Sequence, residues 1–155
     1  MKPVVIIGLG TLGLATAKAI KSLNLDRQIY AINRDKNIIL SAIKNNIIDE
    51  EFNDSHLNID EYFFINCMPV HLIGQAWLQF NKHEHSTFVD VGSIKEHVIR
   101  DSKKYMTQIQ YQNYILCHPI AGGNQIKKNY IDVEISNLSN KRSIKFNNYS
   151  FNFNK

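Results

Sequence analysis

At 155 residues the chain fits one domain of ordinary size, long enough to bury a core without disulfides or a structural metal. Its 44% apolar and 21% charged residues are the balance of a soluble globular protein and argue against both a disordered chain and a membrane bundle. The net charge of +4 suits anionic ligands, but Lys and Arg are scattered, so no nucleic-acid partner is expected where a concentrated basic face is needed.

Apolar periodicity gives strands alternating with helices, the pattern of a parallel sheet covered on both faces. The first strand takes residues 3–7 and runs into Gly8-Leu9-Gly10-Thr11-Leu12-Gly13, then a helix to about Leu23 with Leu12, Ala15, Ala19 and Leu23 on one face. Lys2, the apolar run and Ala15-Thr16-Ala17 superficially resemble a secretory signal. A signal core has no reason to carry three glycines at fixed spacing, so a cytoplasmic protein with no membrane partner is expected. Residues 28–32 form the second strand, and 35–46 a helix with Asp35 near its start, where a carboxylate suits the dipole.

Ile47-Ile48 reads as a short third strand before a polar loop. Residues 62–67 form a fourth strand, stopped by Pro69, and feed a helix whose Ile73, Ala76, Trp77 and Phe80 make a buried stripe, read as core. Residues 87–91 are a fifth strand. A single helix then runs from Ile94 to about Ile109, with Ile94, Val98, Tyr105 and Ile109 inward, and 114–117 are a sixth strand. Each strand is short and apolar, as doubly covered parallel strands should be. Residues 1–122 are thus expected to form a Rossmann-type doubly wound α/β domain, and 123–155 an Asn-rich divergent tail with one added strand around 142–146.

The glycine triplet follows a predicted strand and opens a predicted helix, the setting a phosphate-binding loop requires. Gly8 permits the tight turn, Gly10 lets the backbone approach a pyrophosphate, and Gly13 lets helix and strand pack closely. The N–H groups of Thr11, Leu12 and Gly13 at the helix start then face the phosphates. At the end of the second strand, where NAD-specific domains place an acid, this chain has Asn33-Arg34. With no carboxylate at Asn33 a 2′-phosphate is not repelled, and Arg34 can pair with it or stack on adenine, which favours NADP slightly over NAD. The alternatives are that Asp35 does the acidic job a position or two late, or that Arg34 is an ordinary solvated residue.

Two further segments narrow the class. Asp90-Val91-Gly92-Ser93-Ile94-Lys95 leaves the fifth strand, and His118-Pro119-Ile120-Ala121-Gly122 leaves the sixth. Both resemble signature turns of the prephenate/arogenate dehydrogenases of tyrosine biosynthesis, a likeness running from Pro3 to Gly122. The resemblance implies a nicotinamide cofactor that accepts a hydride while the substrate ring loses its carboxylate. It implies that His118 accepts a hydrogen bond or proton from the 4-hydroxyl, a task suited to imidazole. It also implies that Ser93 hydrogen-bonds near that hydroxyl, although Ser93 is equally a candidate N-cap. Met68 and Pro69 would wall the nicotinamide beside Cys67. Lys95 matches the family's lysine with no chemical step to assign.

The glycine loop, Asn33-Arg34, Met68-Pro69, Gly92-Ser93 and His118 all fall just past the carboxyl ends of successive strands, the edge where open parallel sheets bind ligands. His83 and His85 lack a nearby carboxylate pair and read as solvated loop residues rather than metal ligands. Cys67 and Cys117 end strands expected to be separated by another, which puts them about 10 Å apart from a strand spacing of about 4.8 Å. That is beyond the roughly 7 Å limit for a disulfide, so both read as buried thiols.

After His118-Pro119-Ile120-Ala121-Gly122 the sequence departs from the resembled family, continuing Gly123-Asn124-Gln125-Ile126-Lys127-Lys128 into the Asn-rich tail. The helical domain that in such relatives forms the dimer interface and grips substrate carboxylates is not expected here. The chain then reads as a truncated product or as a cofactor domain completed by a homodimer or partner chain. Alternatives of other kinds are a Rossmann hydroxyacid or imine reductase and a non-catalytic nucleotide-sensing module.

Overall fold

The computed structural model describes residues 1–23, 25–53, 61–120, 132–137, 144–146 and 149–154. Four consecutive apolar residues make β1 (Val4–Ile7), all of them buried because a central parallel strand is covered on both faces. β1 pairs in parallel with β2 (Ile29–Ile32) and with β4 (Phe63–Asn66). β2 carries β3 (Glu50–Glu51), while β4 continues to β5 (Thr87–Asp90) and β6 (Tyr114–Ile120), again in parallel. The order β3-β2-β1-β4-β5-β6 is the expected doubly wound arrangement, with its topological switch point between β1 and β4. β7 (Asp132–Asn137) adds antiparallel to β6, followed across the sheet by β9 (Tyr149–Asn154) and β8 (Ile144–Phe146). One tail strand around 142–146 was expected; β8 overlaps that stretch, but three strands rather than one extend the sheet. Gly123 to Lys128 lie outside the described residues.

Two cores sit on the two faces of the sheet. Alternation along β1 sends Val4 and Ile6 to one, with Ala17 of α1 (Thr11–Ser22) and Ile39 and Ala42 of α2 (Lys36–Lys44). It sends Val5 and Ile7 to the other, with Ile73 of α3 (Val70–Ala76), Trp77 of the 3-10 turn Trp77–Phe80, and Val98 of α4 (Lys95–Tyr105). The second core is aromatic: Phe64 stacks on Phe88 at 5.4 Å between centroids, and Trp77 stands edge-on to Phe88 and Tyr114. Of the stripe, Ile73, Trp77 and Phe80 are core, as the spacing predicts, and Ala76 is half-buried.

Several local expectations are corrected. The inward face of α1 is Gly13 and Ala17, with Leu14 and Ile20 packed beside them, and Leu12, Ala15, Ala19 and Leu23 are only half-buried. A helix that lies close on a strand turns its smallest residues inward. Ile47-Ile48 is not a strand but the end of α2: Asn46 takes φ +53, and the N–H groups of Asn46 and Ile47 donate to Ile43 O and Ala42 O, closing a Schellman motif. The strand falls later, at Glu50–Glu51.

The single helix to Ile109 is two, α4 and α5 (Gln108–Gln112), because Met106 is extended and Thr107 starts a new helix through a capping box with Gln110. Ile94 and Ile109 therefore point outward, and Met106 and Gln110 are buried instead. β6 continues to Ile120 rather than stopping at Cys117, because β7 pairs with it from Ile115 to Ile120. His118 and Pro119 thus lie within a strand rather than after it. His83 is not solvated: it is 6% exposed and packs edge-on to Tyr62 at 5.3 Å, while His85 is exposed. Both cysteines are free, Cys117 buried in β6 and Cys67 only half-buried just past the end of β4, with β5 between those strands.

Candidate functional site

The last row of the parallel sheet runs Ile32, Ile7, Asn66, Asp90 and Leu116. One or two residues beyond it lie Asn33 and Arg34, Gly8 and Leu9, Cys67 and Met68, Val91 and Gly92, Cys117 and His118. The sheet thus brings the expected site residues to one rim. Ala121 and Gly122 lie outside the described residues.

Each glycine of the loop has a separate reason. Gly8 has φ +89, and its N–H donates to Ile32 O at 2.8 Å, tying the turn to β2. A Cβ there would stand 3.2 Å from Met68 Cγ, so Met68 lies against the loop across the switch point. A Cβ at Gly13 would come within 1.9 Å of the Gly8 carbonyl oxygen, which fixes α1 against the loop. At Gly10 a Cβ would meet nothing within 4 Å. Gly10 is also the N-cap of α1, without a side-chain cap bond, and the first turn holds no acidic residue. Open space, unfilled N–H groups and a positive dipole end coincide there, which fits a diphosphate.

Asn33 does something its position alone did not suggest. Its Oδ1 accepts from Leu9 N–H at 3.0 Å, and its Nδ2 donates to Asp35 O at 3.1 Å, so it braces the glycine loop from the tip of β2. Asp35 caps α2, accepting from Asn37 N–H at 2.9 Å, and Lys36 is paired with Glu51. Arg34 between them is exposed and has no partner among the described residues.

At the end of β4, Asn66 is fully buried; its Oδ1 accepts from Met68 N–H at 3.1 Å and its Nδ2 donates to Ile73 O at 3.3 Å. It shapes the turn through Cys67 and Met68, and exposed Pro69 caps α3. Burial pushes the Cys67 thiol up to about 12 and the Cys117 thiol well above its ordinary range, which favours the neutral thiol at both.

The turn after β5 is built on Asp90. Its carboxylate is fully buried; Oδ1 accepts from Lys95 Nζ at 2.6 Å and from Gly92 N–H at 2.8 Å, and Oδ2 accepts from Tyr114 OH at 2.9 Å. Ser102 Oγ lies 3.3 Å from Tyr114 OH and accepts from Trp77 Nε1 at 3.2 Å. Burial raises the Asp90 pKa, opposed by Lys95, the Gly92 N–H and Tyr114. Lys95 Nζ also donates to the backbone oxygen of Cys117, the residue before His118. A buried acid ending an apolar strand signals such a partner, but which residues supply it is a matter of packing. Ser93 is exposed, and the N-cap of α4 is Ile94, so the Ser93 hydroxyl is not used as a helix cap. His118 is half-buried, and strand alternation puts it on the same face as Leu116. No group of three or more His, Cys, Asp or Glu able to hold a metal occurs among the described residues.

No curated protein matches the chain in sequence. Among solved structures, prephenate dehydrogenase from Aquifex aeolicus, in complex with hydroxyphenyl propionate and NAD+, superposes with a TM-score of 0.73 at 22% identity over 90% of this chain and 51% of that one. A putative prephenate dehydrogenase from Corynebacterium glutamicum gives 0.69 at 19% identity, covering 87% and 44%. Synechocystis arogenate dehydrogenase gives 0.66 at 19%, covering 88% and 50%. At these identities the superpositions speak for the fold, and the chain spans about half the length of these relatives. The family model described as the prephenate dehydrogenase nucleotide-binding domain matches residues 16–132. With the rim geometry and this match over most of its length, the chain belongs to the family of prephenate dehydrogenase nucleotide-binding domains, a Rossmann-type oxidoreductase family.

Proposed function

We propose that the chain binds a nicotinamide dinucleotide along the carboxyl rim of its sheet, NADP in preference to NAD. In this reading it is the nucleotide-binding part of an oxidoreductase that converts prephenate or arogenate by oxidative decarboxylation in tyrosine biosynthesis. The observation that carries the reading is the open Gly10 at the unfilled start of α1, three residues past the sheet row that Arg34, Met68 and His118 follow by two.

The N–H groups of Thr11, Leu12 and Gly13 hold the diphosphate, and Gly10 admits it without a side chain in the way. Asn33 is uncharged and engaged with the loop, so the adenosine ribose meets Arg34, a free guanidinium suited to a 2′-phosphate. Met68 and Pro69 wall the nicotinamide side of the switch point. When bound, the nicotinamide supplies the acceptor for the hydride. His118 takes the proton of the substrate hydroxyl as that carbon is oxidised, Ser93 orients the hydroxyl, and the ring carboxylate leaves as carbon dioxide.

Fluorescence titration with NADPH and NADH tests the cofactor half. NADPH should bind more tightly than NADH, and Gly10→Ala should weaken NADPH about tenfold, roughly 1.4 kcal/mol. A wild-type chain that ignores both dinucleotides would overturn the proposal. Prephenate- or arogenate-dependent NADPH formation that disappears in His118→Ala would support the catalytic half, and turnover unchanged by that substitution would remove His118 from it.

A further inference from the structure

Lys95 has a buried partner on one side and the backbone of β6 on the other. The parallel ladder between β5 and β6 ends at Asp90–Leu116, so β5 offers nothing further to the strand that continues to His118. Beyond that point the side chain of Lys95, from the first turn of α4, reaches across and donates to the carbonyl oxygen of Cys117. The same ammonium bonds Asp90 Oδ1 at 2.6 Å, and Asp90 is held in turn by Gly92 N–H and Tyr114 OH. Tyr114 leads through Ser102 to Trp77 in the aromatic core. Asp90 is fully buried and Lys95 largely so, at 0% and 23% side-chain exposure, hence the pair is shielded from the solvent screening that makes surface pairs weak.

We propose that Lys95 and Asp90 are positioning residues for His118: the pair replaces the missing strand ladder and anchors the peptide that carries His118 to the core through Tyr114, Ser102 and Trp77. The proposal rests on the reading of His118 given above, but its test does not depend on turnover or on dinucleotide binding. Neither residue touches reacting atoms in this account. Their effect is to fix where the imidazole stands relative to the rim.

The test is carbethoxylation of the full chain by diethyl pyrocarbonate, mapped by peptide mass spectrometry, with three histidines as internal standards. His85 and His97 are exposed and report reagent activity, whereas His83 is buried and reports unfolding. Lys95→Met removes the bond to Cys117 but leaves Asp90 as a buried acid without its cation. Asp90→Asn/Lys95→Met removes that bond and the charge together, so stability and positioning separate.

In both variants the His118 rate should rise at least about threefold, with His83 still protected and His85 and His97 unchanged. An unchanged His118 rate in the folded double variant overturns the proposal, leaving the pair only a means of burying Asp90. Deprotection of His83 in both variants also overturns it, because the pair would then be an element of folding. NADPH titration of the same samples keeps the two readings apart: a wild-type chain that fails to bind defeats the cofactor assignment alone.

Discussion

Two glycines three residues apart answer differently to the same added methyl. At Gly13 the new Cβ would lie 1.9 Å from Gly8 O, so either α1 or the loop must shift. Gly13→Ala should cost about 2–3 kcal/mol in urea denaturation and weaken dinucleotide binding with it. Gly10 has φ −72 and open space at its Cβ position, so Gly10→Ala should leave stability unchanged or raise it by up to about 1 kcal/mol while weakening the dinucleotide. If both variants lost stability equally, the separation of packing from ligand approach would be wrong. Asp90 gives a pH signature with a definite sign. Burial raises its pKa above the ordinary 3.8, so the folded chain holds this proton more tightly than the unfolded one. Its contribution to stability is complete below 3.8 and is lost as the pH rises through the folded value. The melting temperature of Asp90→Asn relative to wild type should therefore climb between about pH 3 and pH 7. A difference that stays flat over that range would contradict the assignment.

At the scale of elements, helix ends carry more information than helix lengths. Thr107 is the residue that divides α4 from α5, and Thr107→Ala removes its capping bond to Gln110 N–H. The loss should be about 1 kcal/mol in urea denaturation, and a change below a few tenths would show that the second helix is held by packing alone. A Thr-x-x-Gln capping signal stands at Thr107–Gln110, but the expected single helix rests on apolar spacing between Ile94 and Ile109 alone. The end of α2 shows the same competition, since Ile47-Ile48 has strand-forming residues and yet closes a Schellman motif at Asn46. What periodicity reads well is the central strands and the stripe of Ile73, Trp77 and Phe80, where burial on both sides leaves one solution. The glycine turn and the rim position of His118 were legible because each follows directly on a strand readable from local sequence. The bracing of Leu9 by Asn33 and the chain from Trp77 through Ser102 and Tyr114 to Asp90 and Lys95 were not, because they join residues up to 25 positions apart.

Taken whole, the molecule is an open parallel sheet whose last parallel strand does not end the structure. β5 pairs with β6 only from Tyr114 to Leu116, whereas β7 pairs with it from Ile115 to Ile120. The backbone around His118 therefore depends on β7 on one side and on Lys95 on the other. A chain ending at residue 123 would lack β7, β8 and β9 and would present β6 as an exposed edge. Unpaired edges seek other chains, and the lost ladder should lower stability by about 2–3 kcal/mol, roughly 5–10 °C in melting temperature for a domain of this size. The shortened chain should also associate with rising concentration in light-scattering measurements. Its glycine loop follows β1, three strands away from β6, so dinucleotide affinity should fall much less than stability does. A shortened chain that stays monomeric and melts at the same temperature would mean that β7 to β9 do not support β6, and that Lys95 alone holds the strand that bears His118.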